Sequence, residues 1–267
     1  MELLDGRKIS QEILKELKTT LSQKNLRPYL AIILVGQDPA SLVYVNQKKK
    51  KGEEIGIKVE IFSYSEASKQ EEIEQKILEL NRDKAITGMI VQLPLPKHLY
   101  QAKLLNLVSL EKDVDGLAEN SPFRPATPLG IIELLKRSQV VINDKKAVVV
   151  GYSDLVGKPV SEMLKEEGAD VEVVDIDTPN PEKIISTADL LVVAVGKPKF
   201  IRKAVLKKGV VVVDVGINRT EEGLVGDVDF EDVQGVVAKI TPVPGGVGPM
   251  TVTMLLKNVV AASSLVA

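Results

Sequence analysis

The chain has no cysteine, no tryptophan and a single histidine, His98. The first absence removes disulfides, thiolate metal sites and cysteine nucleophiles. One histidine is too few for metal centres that need two or three imidazoles, so no metal is expected. A Ser-His-Asp triad would have to use His98, which sits between Lys97 and Leu99 in a proline-rich stretch. Acid–base chemistry therefore falls to Lys, Tyr, Asp or Glu. Aromatics are only 3% of the residues, so the core must be aliphatic. No apolar run reaches the ~20 residues that span a bilayer. The opening MELLDGRKIS is charged too early for a secretory signal, and a cytoplasmic location is expected. Lys plus Arg number 35 against 37 acids, so no basic excess marks a nucleic-acid partner.

What is present is alternation. The 267 residues suffice for about two domains. Apolar positions at Ile9, Ile13, Leu14, Leu17 and Leu21 have helical spacing. Tyr29 to Val35 is a continuous apolar run, as in strands buried on both faces of a parallel sheet. Asp38-Pro39 opens a second helix, and Gly56 is placed to end it. Strands are expected at 59–64 and 88–91, and helices at 69–80 and 102–108. Ser121 to Pro128, with three prolines, reads as a crossing between domains. Beyond it, strands are expected at 147–150, 171–174, 190–195 and 210–215, and a last one at 235–238. Helices are expected at 129–137, 156–167 and 181–186, with a final helix at 251–262. This is the pattern of an α/β fold, in which ligands bind beyond the carboxyl ends of strands.

Three segments at such ends attract notice. Gly151-Tyr152-Ser153 follows the strand ending at Val150 and precedes a helix, as a diphosphate-binding turn would, although the spacing differs from G-x-G-x-x-G and a plain β–α turn also fits. Asp175 lies 24 residues after Gly151, close to the offset at which an acid receives the adenosine ribose. Asp214-Val215-Gly216-Ile217 follows another apolar strand, where backbone could approach a nicotinamide. Separately, Tyr44 and Lys48 are four residues apart and share one helix face. A lysine there, desolvated, could exchange protons near neutral pH. Spacing alone favours the plainer reading, four surface lysines from Lys48 to Lys51 with Tyr44 half-buried. Short-chain dehydrogenases carry the same Tyr-x-x-x-Lys pattern after their nucleotide turn; here it precedes the turn by about a hundred residues, which argues against that family.

Gln92-Leu93-Pro94-Leu95-Pro96 and Pro242 to Thr251 (PVPGGVGPMT) carry a resemblance. Together with Tyr44, Lys48, Lys112 to Gly116, Thr127-Pro128, the Gly151 turn and Asp214-Val215-Gly216, they make the whole chain resemble the bifunctional methylenetetrahydrofolate dehydrogenase/cyclohydrolase family. The resemblance implies oxidation of 5,10-methylenetetrahydrofolate with a nicotinamide cofactor, NAD(P), and hydrolysis of the product to 10-formyltetrahydrofolate. A monofunctional dehydrogenase of the same family is the alternative. It implies a folate-binding catalytic domain over 1–120, completed by the C-terminal helix 248–267, and a Rossmann-like parallel-sheet domain over 121–247 that forms a homodimer. By resemblance, Lys48 is the central residue of hydrolysis, Tyr44 lies against the folate, Gln92 tunes Lys48 and Asp115 holds the pterin. Leu93 and the loop Pro244, Gly245, Gly246, Val247, Gly248 contact folate. Gly151, Tyr152, Ser153, Asp175, Ile176, Ile217 and Thr251 line the cofactor. The family usually has Arg where Tyr152 stands, and His-Ser plus a basic residue where Asp175, Ile176 and Asp177 stand. Use of NAD at least as well as NADP is therefore expected. His98 has no assigned chemistry and reads as loop structure.

Overall fold

The computed structural model describes residues 1–221 and 223–266. The chain opens with β1 (Glu2–Leu3) and α1 (Gly6–Gln23), on which all five spaced apolar residues are buried. Next come β2 (Tyr29–Val35), α2 (Pro39–Ile55), β3 (Lys58–Tyr64), α3 (Gln70–Arg82), β4 (Gly88–Val91) and α4 (Gln101–Leu107). The strands form a parallel sheet in the order β3-β2-β4. The central β2 is buried at six of its seven positions, as its unbroken apolar sequence requires. Ile73, Ile77 and Leu80 of α3 and Leu104 of α4 pack with Ala31, Ile33 and Met89. Residues 12–126, with the chain from Val252 onward, form one compact unit.

The second unit, residues 1–11 and 127–251, is built on a six-stranded sheet. After α5 (Ala126–Arg137) come β5 (Lys146–Val150), α6 (Gly157–Glu166), β6 (Asp170–Val174), α7 (Pro181–Ile185), β7 (Leu190–Val193) and β8 (Val211–Asp214). A hairpin of β9 (Asn218–Thr220) and β10 (Gly223–Val225), then α8 (Phe230–Val233) and β11 (Lys239–Ile240), complete it, and α9 (Val247–Val266) starts here and continues as part of the first unit from Val252. The sheet order is β1-β11-β8-β7-β5-β6, all parallel. Among the described residues, no helix is long and apolar enough to cross a membrane.

Several expectations change. Residues 1–11 do not stay with the segment that follows, because β1 adds to the edge of the six-stranded sheet beside β11. The last strand is Lys239–Ile240 rather than 235–238. The turn after α8 uses those residues first, with the Val236 and Val237 N–H groups donating to Val233 O. The final helix begins at Val247 and α5 at Ala126, each earlier than expected. Both place proline, Pro249 and Pro128, in the first helical turn, where its missing donor costs nothing. β1 and the β9–β10 hairpin, two or three residues per strand, have no apolar run to betray them.

Candidate active site

On α2 the buried residues are Ser41, Val45, Lys48, Gly52 and Ile55, a stripe with steps of three and four. Lys48 thus occupies a core position. The helix is set by Asp38, whose carboxylate accepts from Ser41 N at 2.7 Å, by Pro39 in its first turn and by Gly56 at φ +100°. One turn beyond Lys48, a Cβ on Gly52 would come within 2.7 Å of Val59, so only glycine lets α2 lie this close to β3. Lys48 is 5% exposed, and its Nζ donates to Gln92 Oε1 at 3.0 Å. Gln92 follows β4 and is anchored by its own N–H to Ile33 O and by Nε2 to Leu93 O at 2.6 Å. The amide gives Lys48 a hydrogen-bond acceptor without a negative charge. Burial pushes the Lys48 pKa below its usual value, and Asp115 pulls it partly back. Burial pushes the half-buried Asp115 carboxyl upward, which Lys48 opposes and Asp113 reinforces. Tyr44, half-buried one turn before Lys48, has its phenol pKa raised by burial and stays protonated. The remaining lysines are solvated: Lys49 lies 3.9 Å from Glu53 and Lys51 2.8 Å from Glu54, and Lys50 is exposed. Leu93 is half-buried, and its carbonyl accepts from Gln92 and from Ser41 Oγ at 3.4 Å.

The segment bearing Asp115 is held by residues to which the sequence assigned no role of their own. Lys112 is buried, and its Nζ donates to Leu80 O, Asn81 O and Asp83 O at 2.9, 2.8 and 2.7 Å, capping the end of α3. Asp113 accepts from Ala118 N at 2.9 Å, and Asn258 Nδ2 on α9 donates to Val114 O at 2.9 Å. A lone asparagine in an apolar helix was the available signal. His98, exposed, has Nε2 2.9 Å from Ser68 O and is a loop tie.

In the second unit, Gly151 has φ +97°, and a Cβ there would sit 2.3 Å from Ala194 O. A Cβ on Gly157 would sit 1.9 Å from Gly151 O. Both positions admit only glycine, and Tyr152 and Ser153 between them are exposed. The helix N-terminus is less available than expected. Lys158 N donates to Ser153 O, Gly157 N points to Ser153 Oγ, and Pro159 has no N–H. Ligand-binding capacity therefore lies in the turn itself. Asp175 follows the end of β6 and is exposed, with Oδ1 accepting from Thr178 Oγ1 at 2.7 Å and Asp177 N at 3.1 Å. The Thr178 bond holds its carboxyl below the usual range. Ile176 is 91% exposed and Ile217, after β8, is 46% exposed. The Pro242–Gly246 turn is closed by Gly246 N to Pro242 O at 2.8 Å and tied to α1 by Arg7 N to Gly245 O at 2.9 Å. Pro244 is exposed, whereas Val247 and Gly248 belong to the first turn of α9 rather than to a loop. Thr251 is likewise helical, with Oγ1 3.0 Å from Thr127 Oγ1.

A parallel sheet with a glycine-only turn at a strand's carboxyl end defines a dinucleotide-binding α/β protein. Its other unit adds a buried lysine bonded to an amide. Comparison with known proteins narrows the class. Residues 4–115 match the tetrahydrofolate dehydrogenase/cyclohydrolase catalytic domain, and residues 125–266 the NAD(P)-binding domain of the same family. The Bifunctional protein FolD of Acetivibrio thermocellus is 46% identical, over 99% of this chain and 97% of its own length. The crystal structure of FolD from Campylobacter jejuni is 44% identical with a TM-score of 0.95, covering 99% of both chains. That of Trypanosoma brucei FolD, complexed with NADP cofactor and inhibitor, is 35% identical with a TM-score of 0.92, covering 98% of this chain and 96% of its own. The chain belongs to the tetrahydrofolate dehydrogenase/cyclohydrolase family.

Proposed function

We propose that the chain oxidises 5,10-methylenetetrahydrofolate to the 5,10-methenyl cation and hydrolyses that cation to 10-formyltetrahydrofolate. The observation that carries the reading is the Lys48–Gln92 pair: an amine withdrawn from water and partnered by a neutral amide. An uncharged Lys48 accepts a proton from the water that adds to the electrophilic carbon. It then delivers that proton to the departing ring nitrogen as the carbon–nitrogen bond breaks, and the adduct's hydroxyl proton leaves to solvent as the formyl C=O forms. Its bond to Gln92 fixes the amine and leaves the lone pair for this exchange. Asp115 accepts two N–H donors of the pterin, which favours its ionised form on binding. Tyr44 supplies a protonated aromatic ring beside the substrate. The reading that the chain performs both steps rather than the first alone rests on the presence of both Lys48 and Gln92.

The Gly151 turn suits a dinucleotide, because glycine at 151 and 157 lets the turn close tightly on the backbone of Ala194 and on the start of α6, the compact strand–turn–helix geometry a diphosphate needs. Bound there, the cofactor supplies the hydride acceptor. Tyr152, Ser153 and Ile217 line it, and Ile176 offers apolar surface to the adenine. We assign the ribose to Asp175, whose Oδ2 is left over by the two bonds on Oδ1. With Asp177 it repels a 2′-phosphate, so NAD is used at least as well as NADP. A homodimer through this unit is supported by β6, an edge strand with half-exposed Val171 and Val173.

The purified protein, given 5,10-methylenetetrahydrofolate and either oxidised nicotinamide, should produce reduced cofactor and 10-formyltetrahydrofolate. Given the methenyl compound alone, it should hydrolyse it. Absence of both reactions would overturn the assignment. A strong preference for NADP would overturn the role given to Asp175.

A further inference from the structure

The proposed reaction leaves two buried carboxylates in the nucleotide unit unused. Asp214 ends β8; its Oδ1 accepts from Gly216 N and Asp227 N, each at 2.9 Å, and its Oδ2 from Val228 N at 2.9 Å. Its own N–H donates to Thr241 Oγ1 at 2.7 Å. Asp227 accepts at Oδ2 from Val195 N at 2.7 Å and Gly196 N at 2.9 Å, just beyond β7. Its Oδ1 accepts from Asn218 Nδ2 at 2.8 Å. The fold makes room for both. A Cβ on Gly216 would lie 2.2 Å from Asp227 Oδ1, and one on Gly226 would lie 1.8 Å from Asp214 Oδ2. Burying two carboxylates side by side is costly, and neutral side chains could close turns at lower cost.

The turns they hold are informative. Val195-Gly196 and Gly216-Ile217-Asn218 leave the carboxyl ends of the adjacent strands β7 and β8, the region where open α/β sheets receive a ligand. Each carboxylate bonds across the gap: Asp227 ties the turn after β7 to Asn218, and Asp214 ties the turn after β8 to the segment that carries Asp227.

We propose that Asp214 and Asp227 are positioning residues for the oxidation step, holding the two strand-end turns at the separation that seats the nicotinamide ring. This rests on the reading that a dinucleotide binds at the Gly151 turn of the same sheet. Neither carboxylate touches the reacting atoms. They act through the backbone of Val195, Gly196 and Gly216, and hydride transfer is sensitive to small misplacement.

The test is Asp227→Asn, which removes the charge and leaves one acceptor oxygen where two served the Val195 and Gly196 N–H groups and Asn218. Dehydrogenase kcat should fall about tenfold or more, with a larger deuterium isotope effect at the methylene carbon. Hydrolysis of supplied methenyltetrahydrofolate should stay within about twofold, because that step needs no cofactor. Binding of reduced cofactor, followed by its fluorescence, should weaken far less than kcat falls. Should Asp227→Asn fail to fold, Asn218→Ala removes the bond to Oδ1, along with a long 3.4 Å bond to Val225 O, and should show the same split at smaller size. An unchanged kcat, or an equal fall in both activities, overturns the proposal. A wild-type protein that binds no dinucleotide overturns both this proposal and the reading beneath it. Wild-type binding that Gly151→Ala abolishes, with Asp227→Asn kinetically normal, overturns this one alone.

Discussion

The two units approach ligands in opposite ways. In residues 12–126 the chemistry sits on side chains withdrawn from water: Lys48 and Gln92 are buried and bonded, and burial drives Lys48 toward its neutral form. In residues 127–251 the candidate site is a backbone turn: half-buried Gly151, where a side chain is excluded, leads into exposed Tyr152 and Ser153. The difference follows from the tasks. Proton transfer at neutral pH needs an amine whose charged form is destabilised, and at Lys48 burial provides that, outweighing the opposing pull of Asp115. A cofactor brings its own reactivity and asks only to be held. Gly52 and Gly151 both serve close packing: one lets a helix close on a sheet, the other lets the turn after β5 close on the backbone of Ala194.

Separating the halves by mutation is the sharpest use of this contrast. Lys48→Met should lower methenyl hydrolysis by about a hundredfold to ten-thousandfold. Stability should hold or rise, since an apolar side chain of similar length replaces a buried amine. Parallel hydrolysis assays and thermal melts check this, and hydrolysis within tenfold of wild type would break the comparison. Next in size, Gln92→Glu places a negative charge beside Lys48 and raises its pKa, so the alkaline shift of the hydrolysis pH profile should be about one to three units. The hydride step should move much less.

In the other half, Asp175→Ser should improve kcat/KM with NADP by about tenfold, by removing a like charge from the 2′-phosphate. Steady-state kinetics with both cofactors decides it. The smallest effect concerns stability. Burial pushes the Asp214 carboxyl up to about 7 from 3.8, against three backbone N–H groups that hold it down. The folded state then binds the extra proton between these values. The contribution is fully present below about pH 4 and is lost as pH rises toward 7. Denaturant unfolding of wild type against Asp214→Asn should therefore show a difference that moves against the wild type across that window.

Much of the scaffold was legible in the sequence. The run Tyr29–Val35 suited a buried strand and is one at six of its seven positions, and Asp38-Pro39 and Gly56 bracket α2 through local chemistry that packing does not change. Which lysine matters was less legible, because four consecutive lysines occupy every face of a helix. The stripe through Ser41, Val45, Gly52 and Ile55 selects Lys48, and it becomes decisive only once Gly52 is seen against Val59. The PGGVG stretch read as loop throughout, since proline and glycine signal turns, yet Val247 and Gly248 already lie in α9. Asp214 and Asp227, thirteen residues apart, meet only through the fold around β7 and β8, and Asn258 reaches Val114 from the far end of the chain. Long-range tertiary pairing of this kind leaves no periodic trace.

The central claim, an uncharged amine at Lys48, can be read directly. Protein labelled with carbon-13 at the lysine Cε positions, with Lys48→Met to assign the resonance, can be titrated by NMR. A Lys48 signal that titrates well below the other lysines, and moves up toward them in Gln92→Glu, is the predicted result. A Lys48 that titrates together with the solvated Lys49, Lys50 and Lys51 would contradict the account.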